Sequence, residues 1–253
     1  MKIFIDTANL HEIREACSWG IVDGLTSNPS LIRKAVEGQE GLDMAAHIEE
    51  ICRTVPGPVS LEVGSLTAEQ MIAEAVGLFE RFNGISGNVV IKIPANTSTG
   101  KGNPDFEGLK AIAELARREI PINATLIMTP EQALLCAKAG ASYVSPFMGR
   151  VDDFTADQED TGAQSGLSPG GLLVDDTVQI LRQYTLPCQV IAASVRHLKH
   201  VREAELSGSQ IATIPFSVLV EMVRHPKTSE GILRFTDDLV PSYAQLLARI
   251  AQP

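Results

Sequence analysis

Met1-Lys2-Ile3-Phe4-Ile5-Asp6-Thr7-Ala8-Asn9 decides between the two ways an alternating strand–helix chain can be arranged. Ile3 to Thr7 reads as a short apolar strand with a carboxylate at its end. A doubly wound open sheet usually carries a glycine-rich fingerprint after its first strand, where the backbone must approach a phosphate. Asp6-Thr7-Ala8-Asn9 contains no glycine. Ser98-Thr99-Gly100-Lys101-Gly102 resembles a phosphate loop only superficially, with Ala95 in place of the leading glycine and Gly102 where Ser or Thr is needed. Outward from the first strand, further runs rich in Val and Ile occur at Gly24 to Asn28, Val59 to Val63, Val89 to Pro94, Ile122 to Met128, Tyr143 to Met148, Gln189 to Ser194 and Ile211 to Phe216. Amphipathic stretches separate them, as in Phe106 to Ala116, where apolar residues recur three and four apart. Eight strand–helix pairs in 253 residues predict an α/β fold, a single (β/α)8 TIM barrel over residues 1–253 with a C-terminal helix at about 228–251. The longer connections, Asn96 to Pro104 and the acidic, Gly-rich Val151 to Gly171, read as a lid, an oligomer contact or a mobile surface loop.

Composition narrows the function. Lys and Arg number 21 against 31 Asp and Glu, a net charge of −10, which argues against nucleic acid as a partner because a phosphate backbone calls for a basic stripe. The 44% hydrophobic and 21% charged residues are those of a globular protein. No run approaches the roughly 18 apolar residues of a membrane span, so no membrane partner is expected, and Met1 to Asp6 is too short to be a signal peptide's apolar region. Cys17, Cys52, Cys136 and Cys188 lie far apart without metal-ligand spacing, and are read as reduced core residues of a cytoplasmic protein.

In a barrel the chemistry lies where strands end at the C-terminal face. Asp6, Asn28, Glu62, Lys92, Asn123, Thr125, Ser145 and Ser194 are polar residues at or near such ends. Ionisable groups in apolar strands are rare unless paired, so Asp6, Glu62 and Lys92 invite a purpose. Strand alternation puts Lys92 on the face of Val90 and Pro94, opposite Ile91 and Ile93. A lysine on an interior face is desolvated, and an uncharged amine on a long stem attacks carbonyls to form a Schiff base. The alternative is a lysine that snorkels to the rim or pairs structurally with Glu62. Asp6 and Glu62 are either the acid and base of such chemistry or that lysine's counter-ions. Asn28, before Pro29, is well placed to cap a helix. Arg150, Ser194 and Arg196 follow late strands, where barrels often bind phosphate. Lys199 and Arg202 read as a solvated helix face, and His197 with His200 as a metal pair lacks a third ligand. His11, His47 and His225 are isolated, and Asp152, Asp153, Asp157, Glu159 and Asp160 read as a solvated acidic loop.

Ile5-Asp6-Thr7-Ala8, Thr26-Ser27-Asn28-Pro29-Ser30, Ile91-Lys92-Ile93-Pro94, Asn123-Ala124-Thr125-Leu126, Ser145-Pro146-Phe147-Met148-Gly149-Arg150 and Ala192-Ala193-Ser194-Val195-Arg196, in this order, resemble the transaldolase family, whose short members include fructose-6-phosphate aldolases. The resemblance implies a transferase of the non-oxidative pentose phosphate pathway that uses neither metal nor coenzyme. Lys92 would form a Schiff base with a ketose phosphate such as fructose 6-phosphate or sedoheptulose 7-phosphate. Asp6 would take the C4 hydroxyl proton, and Glu62 with Thr125 would position a proton-shuttling water. Thr26 belongs to the matching motif; Asn28, Asn123 and Ser145 would hold the dihydroxyacetone unit, and Arg150, Ser194 and Arg196 the phosphate. The family's aldolases tend to carry Gln at the position of Glu62 and Tyr at that of Phe147, so this chain leans to transfer. The alternatives are an aldolase that releases free dihydroxyacetone and a non-catalytic sugar-phosphate binder. Short members of the family tend to form homo-oligomers, pentameric or decameric, so the same is expected here.

Overall fold

Every one of the eight apolar runs forms a strand in the computed structural model, which describes residues 1–37, 41–100, 106–156 and 166–251. The chain runs β1 (Lys2–Asp6), α1 (Leu10–Ser18), β2 (Gly24–Thr26), α2 (Pro29–Val36), α3 (Met44–Thr54), β3 (Val59–Glu62), α4 (Ala68–Ser86), β4 (Val89–Pro94), α5 (Glu107–Arg117), β5 (Ile122–Ile127), α6 (Pro130–Lys138) and β6 (Tyr143–Pro146). It continues through α7 (Met148–Ala156), α8 (Pro169–Gln183), β7 (Gln189–Ala192), α9 (Leu198–Leu206), β8 (Ile211–Ile214), α10 (Phe216–Met222), α11 (Pro226–Asp237) and α12 (Pro241–Ile250). The strands pair in chain order, all parallel, and β8 closes on β1. The fold is the (β/α)8 barrel that the missing glycine fingerprint pointed to.

Helix starts are written locally. Asn9, Asp43, Thr67 and Ser168 accept backbone N–H bonds at the first turns of α1, α3, α4 and α8, and Thr129 with Gln132 makes a complete capping box on α6. Of these, α1, α4 and α6 start just beyond the C-terminal ends of β1, β3 and β5, so their caps help to fix the loops at that end of the barrel.

Alternation along the strands divides the barrel interior into layers. Phe4, Ile191 and Ile211 are buried together with the ring of Tyr143 against them, and form an apolar floor. Two residues further along the same strands stand Asp6, Ala193, Thr213 and Ser145, which share one face of the site above. Gly24 is what lets the floor form: a Cβ there would come within 2.6 Å of the Phe4 ring. Burial of the aliphatic and aromatic side chains, at about 1.5–3 kcal/mol each, is the main favourable contribution to this layered core.

The chain divides into two units, Met1–Val218 and Leu219–Pro253. In the second, the expected single helix over about 228–251 is two, α11 and α12, interrupted at Asp238–Val240. The break has a local cause, since Pro241 disfavours helical backbone at the residue before it and is well suited to open a new helix.

The Val151 to Gly171 connection is also corrected in part. Its first six residues belong to α7 and its last three to α8; residues 157–165 lie outside the described residues, and with them Asp157, Glu159 and Asp160. In the Asn96 to Pro104 connection, residues 101–104 also lie outside them. Cys52, Cys136 and Cys188 are buried and Cys17 partly so, all free thiols; burial pushes Cys136 and Cys188 up to about 12 and Cys52 to about 11, which leaves them unreactive. No helix among the described residues is long and apolar enough to cross a membrane.

Candidate active site

A cavity of about 120 Å³ at the C-terminal end of the barrel is lined by Asp6, Thr26, Asn28, Lys92, Ser145, Phe147, Arg150, Ala193, Ser194 and Thr213. Eight of these were singled out from the sequence. Ala193 and Thr213 were not, although Thr213 is a polar residue within the apolar run Ile211 to Phe216 and so carried the same signal as Thr125.

Lys92 is the centre of the site. Parallel register sets Glu62, Lys92 and Asn123 side by side on β3, β4 and β5. The Lys92 side chain is 5% exposed; its Nζ lies 3.1 Å from Glu62 Oε2 and donates to the backbone carbonyl of Ser27 at 3.0 Å. The ion pair expected of a structural lysine is therefore present, but Lys92 faces the cavity while Glu62, 11% exposed, stands beside it outside the lining. An ammonium buried like this is tolerated only because both neighbours solvate it.

Asp6 faces the cavity from β1. Thr26 Oγ1 donates to its Oδ1 at 2.7 Å, and the Thr26 and Thr213 hydroxyls are in contact, so a short chain of hydroxyls runs behind the carboxylate. Burial raises the Asp6 carboxyl above the usual carboxylate range; the Lys92 charge and the Thr26 hydrogen bond oppose that without cancelling it. The site thus pairs a desolvated lysine with a carboxyl whose proton affinity is increased, a combination typical of proton transfer.

The polar layer continues behind the lining. Ser145 Oγ donates to Asn123 Oδ1 at 2.7 Å, and Asn123 Nδ2 donates to Ser60 Oγ at 3.2 Å. Asn123 therefore stands behind the cavity lining and holds Ser145 in place. Ser60 was missed, although it shares the face of Glu62 by strand alternation. Thr125 Oγ1 is buried with no hydrogen-bond partner among the described residues. It stands just before Leu126, whose φ of 56° falls within the register shift of β5 against β6 between Ala124 and Ile127. Such a left-handed aliphatic residue costs roughly 1–2 kcal/mol and tends to persist where function asks for a particular strand end.

Asn28 has both roles that its position allowed: its Oδ1 accepts the Leu31 N–H at 3.0 Å and caps α2, and the residue also lines the cavity. Phe147 carries the Arg150 guanidinium over its ring at 5.3 Å. Ser194 has a φ of 55° at the end of β7. Arg196 does not line the cavity. Its fork is bonded to Asp153, with one contact at 2.6 Å, and it passes over Gly149, where a Cβ would lie 2.6 Å from Arg196 Nε and from the Ser194 carbonyl.

Several side chains near the site make contacts that the sequence did not display. Asp152 and Asp153 are not free loop acids. Asp152 accepts the Gly170 N–H at 2.7 Å and lies 2.7 Å from His200 Nε2, while Asp153 holds Arg196. His197 and His200 are not free metal ligands: the Arg196 N–H donates to His200 Nδ1, and the His200 N–H donates to His197 Nδ1. Lys199 is exposed on α9, as read from the sequence, and reaches Glu203 at 3.6 Å. His47, read as uninformative, is buried and bonded to the Ala8 carbonyl. The contacts of Asp152, Asp153 and His47 join different elements, so no single stretch of sequence displays them.

A family model described as Transaldolase/Fructose-6-phosphate aldolase matches residues 3–250. A probable transaldolase of Caldicellulosiruptor saccharolyticus is 49% identical over 239 residues, 94% of this chain and 96% of that protein. Probable transaldolases of Chlorobium phaeobacteroides and Thermus thermophilus are 45% identical over 241 residues and 44% over 242, each alignment spanning 94% of this chain and 97% of its relative.

Proposed function

Since the chain belongs to the transaldolase/fructose-6-phosphate aldolase family, we propose that it transfers a dihydroxyacetone unit from a ketose phosphate, such as sedoheptulose 7-phosphate or fructose 6-phosphate, to an aldose phosphate through a Schiff base on Lys92. The observation that carries this reading is the Lys92 amine, buried between Glu62 and the Ser27 carbonyl and facing a cavity that it shares with Asp6. Lys92 Nζ adds to the C2 carbonyl and water leaves, giving an iminium that acts as an electron sink. Asp6 accepts the C4 hydroxyl proton; the C3–C4 bond then breaks, its electron pair forms the enamine, and the aldose phosphate departs. An acceptor aldehyde reverses these steps. Glu62, in contact with the amine, and the buried Thr125 hydroxyl would position the water that moves protons at the imine. Asn28 and Ser145, the latter held by Asn123, would bind the hydroxyls of the dihydroxyacetone unit, and Arg150, Ser194 and Arg196 the distant phosphate.

Glu62 and Phe147 favour transfer over release. A carboxylate exchanges protons with the imine region where an amide does not, and Phe147 lacks a hydroxyl that would fix a water against the enamine. The chain would work as a homo-oligomer in the cytoplasm, within the non-oxidative pentose phosphate pathway.

Intact mass after borohydride reduction with fructose 6-phosphate tests the covalent step. A dihydroxyacetone-sized adduct that maps to Lys92 and disappears in Lys92→Met is expected. An undiminished adduct in Lys92→Met, or binding without any adduct, would overturn it. Free dihydroxyacetone produced at the full rate without an acceptor would instead make the protein an aldolase.

A further inference from the structure

Arg196 is already engaged. Its two terminal guanidinium nitrogens face the two carboxylate oxygens of Asp153 in a bidentate arrangement, one contact measuring 2.6 Å. Asp153 comes from the first turns of α7, only three residues after Arg150 at the cavity rim. The Arg196 hydrogen bond, with the charges of Arg196 and Arg150, holds the Asp153 carboxyl below its usual range, so it is ionised wherever the protein is folded at neutral pH.

The two ends of Arg196 are held differently. Its backbone N–H is tied to the buried His200 ring, which Asp152 braces from the other side. That anchorage fixes where the arginine starts. The fork, by contrast, is held by a surface partner: the Arg196 and Asp153 side chains are 46% and 58% exposed. An exposed ion pair of this kind contributes little and opens readily. A guanidinium fork presents the same parallel pair of N–H groups to a carboxylate and to a phosphoryl group, so the two occupants exclude each other.

We propose that Asp153 is a built-in competitor for the sugar phosphate: its carboxylate occupies the Arg196 fork in the free protein, a phosphoryl group must displace it, and Asp153 thereby sets how strongly phosphorylated ligands are preferred. This rests on the reading of Arg196 as a phosphate-binding residue. A dianion wins the exchange against a monoanionic carboxylate, but its apparent affinity is reduced by the fraction of time that the fork is closed on Asp153. Released from Arg196, the Asp153 carboxylate is free to turn to solvent, since it is already more than half exposed.

Phosphorus NMR titration of inorganic phosphate reads this without depending on turnover. Asp153→Asn is expected to bind phosphate about three- to fivefold more tightly than the unaltered protein, the size that an exposed ion pair allows. Arg196→Ala should weaken binding about tenfold or more, and Asp153→Asn added to Arg196→Ala should restore less than about twofold. If Arg196→Ala weakens phosphate binding but Asp153→Asn leaves it unchanged or weaker, Arg196 keeps its role and the competitor is overturned. A full Asp153→Asn gain that survives in the Arg196→Ala background makes the effect a general loss of negative charge, which also overturns it. If Arg196→Ala leaves phosphate binding intact, or no form binds phosphate, the reading of Arg196 fails and the competitor with it.

Discussion

Burial at the end of β1 works against a charge on Asp6, the Lys92 ammonium works for it, and burial outweighs. The sign of the consequence follows by linkage. An unfolded chain releases this proton in the ordinary carboxylate range and the folded chain releases it at higher pH, so within that window the folded state holds the extra proton. Stability conferred by this group falls as pH rises through the window and stays lower above it. Asp6→Asn keeps an acceptor for the Thr26 hydroxyl and removes the ionisable oxygen. It is expected to raise Tm by a few degrees at pH 7 to 8, with the gain shrinking toward pH 4, and to lower kcat by about 10² to 10⁴, the usual loss of a proton-transfer group. Thermal melts across that pH range check the first part, and a lower Tm at neutral pH would refute it. Lys92 and Asp6 were legible in the sequence because ionisable side chains inside apolar runs are conspicuous. Thr213 and Ser60 carried a weaker signal, of the kind that marked Thr125, because small hydroxyl residues in strands are less conspicuous than ionisable ones.

Strand and helix junctions decide how precisely the site is built. Gly149 at the start of α7 lies against the Ser194 carbonyl and the Arg196 side chain, both beyond the end of β7. Of the two, the side chain can move but the backbone carbonyl cannot do so cheaply, and Ser194 already has a left-handed conformation. Gly149→Ala is therefore expected to raise KM for phosphorylated donors about tenfold, with a much smaller effect on free dihydroxyacetone as donor. An equal rise for both donors would mean that the whole barrel end, and not the Ser194–Arg196 segment, had shifted. Periodicity predicted the strands well, since each is a short β-branched run. It failed over Met148 to Ala156 because Gly149-Arg150-Val151-Asp152-Asp153 has charged residues where an apolar stripe would be expected, and its helix is stabilised by the contacts that those charges make.

The whole molecule exposes more apolar surface than its barrel accounts for. In the second unit, Tyr243, Leu246, Leu247 and Ile250 of α12 recur at helical spacing and are all exposed, as are Ile232, Leu233 and Phe235 of α11. Contiguous apolar stripes of this kind are usually covered by another chain, in keeping with the proposed homo-oligomer. Light scattering is expected to give a mass several times 27.2 kDa for the unaltered protein, and a clearly smaller one for Leu246→Glu with Ile250→Glu. A monomeric unaltered protein would refute the assembly.

The barrel is written in local sequence, in eight short apolar runs, the helices between them and the missing glycine fingerprint, because periodicity and turn chemistry are local properties. It also displayed the ionisable residues at the strand ends, since each stands out against its own apolar run. Only the tertiary structure decided which of these face a common cavity, that Asn123 supports Ser145 from behind, and that Asp152 and Asp153 hold His200 and Arg196. Those contacts join residues 22 to 48 positions apart. They depend on strand register, helix phase and the closure of the barrel, and none of these is a property of any one segment.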